Sequence, residues 1–298
     1  MIKVAVIIPT HNRSELLKKA VSSVLSQTYK DLELIIVDVG LEERSERVVG
    51  GFNDPRIIYI KNERELNGSA ARNIGIKQAK GDFIAFLDDD DEWLPEKLDI
   101  QMSEFEKTSD DVGFCFSAVS NVYNDKVVDT KVPSGVRNYY EDVLFKLKGF
   151  LNVTLIVKKY VFDDVGYFDE SLPSHQETDL VIRIAKKYKG LGINKPLVRV
   201  SMKKGYKKIG FYIKKIITGR EMVINKYMDE FKKRPTILAS HWFRQGILYR
   251  DDGQFEIAKK YFKKAWKIDH KLFYLLHFFS LIWGGGLYNM FKLIRKSK

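Results

Sequence analysis

Cysteine is almost absent from this chain of 298 residues, since Cys115 is the only one. A single cysteine excludes an intramolecular disulfide framework and suits a reducing compartment. We also expect no signal peptide, because the N-terminal apolar run VAVIIPT is too short for one and no small-residue cleavage site follows it. We therefore expect a cytoplasmic protein.

Acidic residues are missing from one long segment. Between Val181 and Arg220 there are thirteen Lys and Arg residues and no Asp or Glu. The net charge is +12, so the rest of the chain nets −1. Acids are absent again after Asp269, where the basic residues are Lys271, Lys292, Arg295, Lys296 and Lys298. Such patches attract phosphates, nucleic acid or anionic lipid.

The first hundred residues alternate strand and helix patterns. The predicted strands are VAVIIPT, LELIIVD, RIIYIKN and DFIAFLD. Between them lie a predicted helix SELLKKAVSSVLSQ, with Ser14 as its N-cap, and a second helix SAARNIGIKQAKG that Gly81 ends. This alternation predicts an α/β fold with a mostly parallel sheet, which binds ligands beyond the carboxyl ends of its strands.

Four consecutive aspartates, Asp88 to Asp91, follow the fourth predicted strand. Neighbouring carboxylates repel by about 1 kcal/mol per pair in water and by up to roughly 4 kcal/mol at a protein surface. A bound divalent cation would offset this repulsion, because hard cations prefer carboxylate oxygens. The other interpretation of these residues is a solvated acidic turn.

Five segments resemble the family 2 glycosyltransferases in their order and spacing: VIIPTHNR, SVLSQTYKDLELIIVD, NGSAARNIGI, GDFIAFLDDDDEWLPEKL and QETDLVIRIA. The resemblance covers residues 1–205 and implies a GT-A fold, with a nucleotide-binding half at 1–100 and an acceptor half at 101–205. It also implies an inverting, metal-dependent enzyme that transfers a sugar from a nucleotide-diphosphate sugar to an acceptor hydroxyl.

The resemblance assigns roles to single residues of the aspartate run. Asp90 matches the ligand of Mg²⁺ or Mn²⁺. Asp88 and Asp89 lie where the family contacts ribose or metal-bound water. Asp91 is predicted to cap a helix that begins near Pro95.

The nucleotide-binding residues follow from the same resemblance. Arg72 matches an arginine that meets base or phosphate, with a plain helix-surface charge as the alternative. The base-framing positions are Pro9, Thr10 and His11, although His11 fits an ordinary loop residue equally well. Asp38 helps to place the nucleotide.

The predicted catalytic base is an acid at the start of a helix, because the acceptor proton must leave as the hydroxyl attacks. In HQETDL the resemblance places Glu177 at this position. Asp179 is the alternative, and it would otherwise be an acid favoured by the helix dipole.

Two departures from the family pattern stand out. The second strand is followed by Asp38-Val39, where the family usually has two aspartates and the second contacts uracil. A valine side chain cannot accept a hydrogen bond from a uracil ring N–H, so either the base contact is rebuilt or the nucleotide is not UDP. A metal-binding histidine is also missing near Lys203, and we hypothesise that this lysine meets the diphosphate directly.

The C-terminal third is predicted to be helical. After a basic connecting region at 206–236, residues 237–270 resemble one tetratricopeptide repeat, carried by Trp242, Gly246, Tyr249, Ala258, Phe262 and Ala265. The alternative is a structural helical hairpin. Residues 271–298 form an amphipathic, basic and aromatic tail, and its apolar stretch Leu272–Trp283 is too short to span a bilayer. It fits an interfacial helix on an anionic membrane or a buried core helix.

These features together suggest a lipid-phosphate-linked glycan as acceptor, at the cytoplasmic face of a membrane. A soluble or protein acceptor with the tail as a docking module is the alternative, as is a non-catalytic scaffold. We do not expect nucleic acid as a partner, because aromatic and basic residues do not interleave as in a stacking platform.

Overall fold

The computed structural model describes residues 3–41, 44–124, 126–147, 150–202 and 209–281, without the side chains of 209–212. Lys203 and the tail beyond Leu281, including Gly284–Gly286, lie outside the described residues. The described part contains a central mixed sheet flanked by helices, followed by a helical C-terminal region. The predicted α/β class is therefore confirmed.

Ten strands are present in the described residues. They are β1 (Val4–Thr10), β2 (Leu32–Asp38), β3 (Ile57–Lys61), β4 (Phe83–Phe86), β5 (Glu92–Trp93), β6 (Val112–Tyr123), β7 (Lys126–Asp129), β8 (Gly135–Arg137), β9 (Ile156–Lys158) and β10 (Lys189–Ser201). The four apolar runs of the first hundred residues all form strands. A short 3-10 turn, Asn152–Thr154, precedes β9.

Twelve α-helices complete the described chain. They are α1 (Ser14–Leu25), α2 (Arg44–Gly50), α3 (Gly68–Gln78), α4 (Lys97–Phe105), α5 (Tyr140–Lys146), α6 (Tyr160–Val165), α7 (Gln176–Lys187), α8 (Ile209–Lys226), α9 (Met228–Lys232), α10 (Pro235–Asp251), α11 (Phe255–Ile268) and α12 (Leu272–Ser280). None of them is both long and apolar enough to cross a bilayer.

The sheet places the predicted site residues at one edge. Its strand order is β3-β2-β1-β4-β9-β6-β10-β5, with β7 paired to β6 and β8 to β10. The first four strands run parallel, whereas β9 is antiparallel to both β4 and β6. The carboxyl ends of β1, β2 and β4 therefore meet, which brings Thr10, Asp38 and the residues after Phe86 to the same edge.

Helix α3 packs close to β1 because of a glycine. A Cβ atom on Gly75 would lie 2.6 Å from Cγ2 of Ile7, which is fully buried in the sheet. The absence of a side chain here lets the helix approach the strand, and it fixes the helix that carries Arg72.

Two predicted helix boundaries are wrong. Ser14 lies inside α1, whose N-cap is Arg13 without a side-chain capping bond. Helix α3 ends at Gln78 with Ala79 as its C-cap, before Gly81. At its other end Asn67 is the N-cap, and its side chain accepts a hydrogen bond from the Ala70 amide.

Contacts divide the described chain into two units. Unit 1 holds the residues up to Ser171 and those from Gln176 to Met202, and so contains the whole sheet. Unit 2 holds Leu172–His175 and the residues from Ile209 onwards, which include α8 to α12. Unit 1 is thus interrupted by four residues that belong to unit 2.

Unit 2 contains the predicted helical hairpin, formed by α10 and α11. Ala258, Phe262 and Ala265 are fully buried there, and a Cβ on Gly246 would lie 2.6 Å from the Phe262 ring. The hairpin is joined to α8, because Oε1 of Glu221 accepts hydrogen bonds from the hydroxyls of Tyr249 and Tyr261. The resemblance of this hairpin to a tetratricopeptide repeat stays a prediction.

Candidate active site

The aspartate run forms a tight turn directly after β4 and is tied to the end of β1. The buried Thr10 donates a hydrogen bond from Oγ1 to Oδ2 of Asp89 over 2.9 Å. Nη1 of Arg13 contacts Oδ1 of Asp89 at 3.1 Å and Oδ2 of Asp90 at 3.3 Å. A cation from the β1–α1 loop therefore already bridges two of the crowded carboxylates.

The two outer aspartates of the turn have different partners. Asp88 forms an ion pair with Nη2 of Arg72. Asp91 does not cap a helix, because α4 begins at Lys97 with Glu96 as its cap. Instead Oδ1 of Asp91 accepts a hydrogen bond from the Ser201 amide at the end of β10, over 3.0 Å. The sequence prediction for Asp91 was wrong because this partner lies 110 residues away.

Burial and mutual repulsion make these carboxylates unusually basic. Burial, opposed by Arg13, raises the pKa of Asp89 to about 6. Burial and the neighbouring Asp88 raise the pKa of Asp91 to about 8. The pKa of Asp90 is raised by burial and by Asp88, against the effect of Arg13. A bound cation would relieve this electrostatic strain.

A divalent metal fits the turn by the chemistry of its donor atoms. Side chains of Asp88 and Asp90 are 38% and 41% exposed, and both present hard carboxylate oxygens. Across the described ranges, no three His, Cys, Asp or Glu side chains converge as a complete metal cage. Mg²⁺ typically uses one or two carboxylates and completes its shell with water and substrate phosphates. The turn therefore suits a metal that binds together with a diphosphate.

Asp38 lies at the predicted edge but is fully buried and engaged within the protein. Its Oδ1 accepts from the Gly40 amide at 2.8 Å. Its Oδ2 accepts from the Tyr59 hydroxyl at 2.6 Å and from Nζ of Lys61 at 3.0 Å. Burial, and then the hydrogen bond to and charge of Asp38, raise the pKa of Tyr59. Asp38 thus fixes the loop after β2 and holds Lys61 at the end of β3.

The loop after β1 lies beside the loop after β2. The Val39 amide donates to the Thr10 carbonyl at 3.0 Å, and the Val39 side chain is buried. His11 is exposed, and its Nε2 lies 2.8 Å from Oε1 of Glu65. Pro9 is partly buried at the end of β1. The three base-framing candidates therefore lie together at the end of β1, and His11 is the most exposed of them.

The two candidate bases lie on α7 in different environments. Asp179 is fully buried and forms an ion pair with Nη2 of Arg183 at 2.9 Å. The same guanidinium donates to the carbonyls of Val165, Gly166 and Tyr167 at 2.6, 2.9 and 2.7 Å, respectively. Asp179 therefore anchors an arginine that closes the end of α6.

Glu177 is the second residue of α7 and is partly buried. No described side chain forms a hydrogen bond with its carboxylate. Burial raises the pKa of Glu177, Arg72 acts in the opposite direction, and Asp88 raises it further. Arg72 is thus electrostatically coupled to both the aspartate turn and Glu177. A raised pKa brings a carboxylate nearer to the value that proton abstraction at neutral pH requires.

Sequence reasoning missed two asparagines that hold the segment before α7. Nδ2 of Asn67 donates to the Glu170 carbonyl at 2.7 Å. The Asn73 side chain bonds both the amide and the carbonyl of Phe168 at 3.0 Å, and it donates to Oε1 of Glu170 at 2.8 Å. Both residues flank Arg72 in NGSAARN, so the motif positions the 168–170 loop as well as the arginine.

Sequence reasoning also missed a buried group of side chains that holds the segment directly after the aspartate turn. The fully buried Gln27 donates to the Leu94 carbonyl at 2.8 Å and accepts from the Leu98 amide at 3.0 Å. Nε1 of Trp93 donates to the Val153 carbonyl at 2.9 Å. Lys97 is completely buried, with Nζ 3.9 Å from the centre of the Trp93 ring. Burial lowers the pKa of Lys97 to about 7.

The comparisons with known proteins agree with this geometry. The family model described as "Glycosyl transferase family 2" matches residues 5–159. The amylovoran biosynthesis glycosyltransferase AmsB of Erwinia amylovora is 34% identical over 212 residues, which are 67% of this chain and 70% of AmsB. Escherichia coli WfgD is 35% identical over 125 residues, 42% of this chain and 49% of WfgD. Its name describes a UDP-Glc:alpha-D-GlcNAc-diphosphoundecaprenol beta-1,3-glucosyltransferase.

Solved structures show the same fold. S. aureus TarS 1-349 in complex with UDP-GlcNAc aligns with a TM-score of 0.59 at 18% identity, over 88% of this chain and 81% of that one. The mannosyltransferase PcManGT of Pyrobaculum calidifontis, in complex with GDP-Man and Mn²⁺, aligns with a TM-score of 0.57 at 16% identity, over 99% and 82% of the two chains. At these identities the likeness is one of fold, and it agrees with the GT-A architecture.

Proposed function

Because this chain belongs to the family 2 glycosyl transferases, we propose that it moves a sugar from a nucleotide-diphosphate sugar to an acceptor hydroxyl, with inversion at the anomeric carbon. The observation that carries the proposal is the position of Arg72. This arginine pairs with Asp88 of the aspartate turn and is electrostatically coupled to Glu177. One arginine therefore interacts with both a carboxylate proposed to bind the donor and the proposed base.

Glu177 takes the acceptor proton in this proposal. Its carboxylate removes the proton from the attacking hydroxyl as that oxygen forms a bond to the anomeric carbon and the bond to the diphosphate breaks. Its raised pKa supports this role, as does the commitment of Asp179 to Arg183.

The aspartate turn binds the donor. Asp90 would hold Mg²⁺ or Mn²⁺, and Asp88 and Asp89 would contact ribose or metal-bound water. When bound, the metal supplies positive charge to the leaving diphosphate. Support comes from the raised pKa values of Asp89 and Asp90 and from the Mn²⁺ in the PcManGT complex. Pro9, Thr10 and His11 would frame the base, with Asp38 holding the adjacent loop.

The acceptor is proposed to be a lipid-linked glycan of surface polysaccharide assembly. This follows the names of AmsB and WfgD, the second of which specifies a diphosphoundecaprenol acceptor. We also propose that the protein works at the cytoplasmic face of a membrane. The exposed apolar residues of α12 support this placement: Leu272, Phe273, Leu276 and Phe279.

A donor-turnover assay with a panel of nucleotide-diphosphate sugars and Mn²⁺ tests the proposal. We expect turnover by the wild type and its loss in EDTA. Glu177→Gln should reduce kcat by at least about 100-fold, since general-base catalysis contributes roughly 10²- to 10⁴-fold, while the melting temperature stays unchanged.

Asp179→Asn provides the matched control on the same helix. It should lower the free energy of unfolding by about 3 kcal/mol, because it leaves the Arg183 guanidinium without its buried partner. Near-normal turnover by Glu177→Gln would show that this residue is not the base. Absence of turnover with every donor would contradict the proposed function itself.

A further inference from the structure

A pocket of about 440 Å³ opens in unit 1 between the end of β6, α5, the 3-10 turn region and the end of β10. Its walls are mainly apolar, with Phe116, Val119, Phe150, Leu151, Val200 and Met202 among them. The pocket shares no residue with the aspartate turn, the base-framing loop or Glu177. It is therefore a separate cavity in the predicted acceptor half.

Aromatic side chains form the floor of this pocket. The Phe116 ring centre lies 4.9 Å from that of Tyr139 and 4.7 Å from that of Phe150. The Tyr139 hydroxyl donates to the carbonyls of Pro133 and Gly135 at 3.2 and 2.9 Å. Its polar end is thus satisfied within the protein, and its ring remains as apolar surface.

Three other hydroxyls of the pocket lining, those of Ser117, Thr130 and Thr154, are also engaged with the backbone. Thr130 donates to the Val119 carbonyl and accepts from the Val119 amide. Ser117 donates to the Ala118 carbonyl at 3.1 Å, and Thr154 donates to the Leu151 carbonyl at 2.9 Å. A sugar ring needs partners for its own hydroxyls, and these groups have their donor hydrogens committed. Asn121 and Tyr123 also line the pocket with polar groups, but its surface is mainly apolar, which favours a hydrocarbon ligand.

Charges in the pocket lining are positive on balance. Asp142 is neutralised by Arg137, whose Nη2 lies 2.8 Å from its carboxylate. Lys131 and Lys146 are exposed lining residues, and neither forms an ion pair within the described chain. Two free ammonium groups next to an apolar cavity match an amphiphile with a phosphate head and a hydrocarbon chain.

The pocket lies close to the aspartate turn. Val200 and Met202 are each one residue, or about 3.3 Å of extended chain, from Ser201. The Ser201 amide is the group that binds Asp91. A ligand beside Val200 and Met202 would therefore lie next to the residue that is hydrogen-bonded to Asp91, the last aspartate of the turn.

We propose that this pocket binds the first hydrocarbon units of the acceptor's lipid phosphate, with Lys131 and Lys146 at the phosphate. The inference rests on the proposed function and names its substrate class as an isoprenyl phosphate or diphosphate carrying a short glycan. Because pocket and donor turn are close, the reacting hydroxyl belongs to a sugar near the lipid phosphate. The reaction that supplies the substrate must therefore be transfer of a sugar phosphate, or of a first sugar, onto that lipid.

Farnesyl phosphate serves as a soluble probe, and its binding can be measured by calorimetry on the full chain. We expect binding by the wild type, and none for inorganic phosphate or methyl glucoside. Lys146→Ala should weaken binding about fivefold, since one lysine near a lipid phosphate contributes about 1 kcal/mol. Met202→Trp, at a position 39% exposed, should narrow the pocket and weaken binding at least tenfold.

Lys18→Ala, an exposed lysine on α1, is the control and should bind like the wild type. Equal farnesyl phosphate binding by Met202→Trp and wild type would overturn the inference, as would displacement of the probe by methyl glucoside. Nucleotide-sugar turnover separates the two proposals. Probe binding without any turnover would leave the pocket standing and remove the proposed function, whereas turnover onto a soluble glycan without probe binding would do the reverse.

Discussion

At the scale of a single residue, the buried charge of Lys97 destabilises the folded protein. Its ammonium is completely buried, and within the described chain it has no hydrogen-bond acceptor. The face of the Trp93 ring at 3.9 Å is its main compensation, and a cation in that position gains about 0.5–2 kcal/mol. This stabilisation is smaller than the cost of removing the ammonium from water, because burial still lowers the pKa of Lys97 to about 7.

Lys97→Met should therefore stabilise the protein, by an amount that depends on pH. The unfolded state binds this proton up to a pKa near 10.5, whereas the folded state releases it near 7. The wild-type protein therefore becomes more stable as pH rises from about 7 to about 10. The destabilisation by the buried charge of Lys97 is largest below pH 7. Thermal melts of both proteins at pH 6, 7, 8 and 9 should show the largest advantage of Lys97→Met at pH 6. A pH-independent difference would contradict this account.

Single-residue roles in the site were predictable only where a motif carries them. Arg72 forms an ion pair with Asp88, and the ligand-binding roles that the resemblance assigns to Asp88, Asp89, Asp90 and Arg72 stay predictions. Arg13 and Asn73 were missed, because their partners lie 76 to 97 residues away and no local pattern records such contacts. Sequence spacing favours an ion pair between Arg183 and Asp179, which lie four residues apart on α7, whereas Glu177 is six residues from Arg183 and lies on another face of the helix.

At the scale of elements, strands with strong apolar runs were predictable and weak ones were not. Strands β1 to β4 and β6 follow from β-branched runs, which pack well on both faces of a buried sheet. Strand β8 and helix α5 have no clear periodicity. The antiparallel insertion of β9 between β4 and β6 depends on pairings across the chain, which hydrophobic patterning does not encode.

Helix α12 has apolar residues on two faces. Tyr274 and, just beyond the helix, Leu281 pack into the clusters formed with Ala239, Ala265 and Phe262. The exposed face consists of Leu272, Phe273, Leu276 and Phe279. An exposed stripe of this kind on one helix is typical of an interaction with a membrane or a partner.

Leu276→Asp should reduce binding to anionic liposomes by more than tenfold in a co-sedimentation assay. A buried leucine side chain contributes about 1.5–3 kcal/mol, and the new carboxylate is repelled by anionic lipid. Because Leu276 is 58% exposed, the melting temperature should not change. Leu41→Asp, at a position 69% exposed in unit 1, is the matched control and should bind normally. Equal sedimentation of both variants would exclude α12 as the membrane surface.

At the scale of the whole molecule, a short segment of unit 2 lies in sequence just before the candidate base. Leu172–His175 belongs to unit 2, and α7 starts at the next residue. Ser174 donates from Oγ to the Lys215 carbonyl on α8 at 3.0 Å. His175 has a φ of 62°, a left-handed conformation that costs a non-glycine residue about 1 kcal/mol or more. The segment is thus held in an unusual shape two residues before Glu177.

Gly219→Ala should lower kcat more than it changes nucleotide affinity. A Cβ at Gly219 would lie 2.6 Å from the Ser174 carbonyl oxygen, so the segment must shift and the start of α7 with it. Gly246→Ala is the matched control in unit 2, because its Cβ meets only the α10–α11 packing. It should lower the melting temperature while kcat is retained. Equal kcat values for both variants would show that Leu172–His175 does not position the base.

The interrupted course of unit 1 also sets an order of events during protein synthesis. Ser174 finds its partner 41 residues further along the chain, on α8. At roughly 5–20 residues per second, a ribosome needs about 2–8 s to add that stretch. Strands β1 to β4 can pair well before then, but the hydrogen bond from Ser174 to Lys215 forms only after α8 has emerged. Under the proposed function, a nascent chain would complete its donor-binding turn before the segment that leads into the proposed base is fixed.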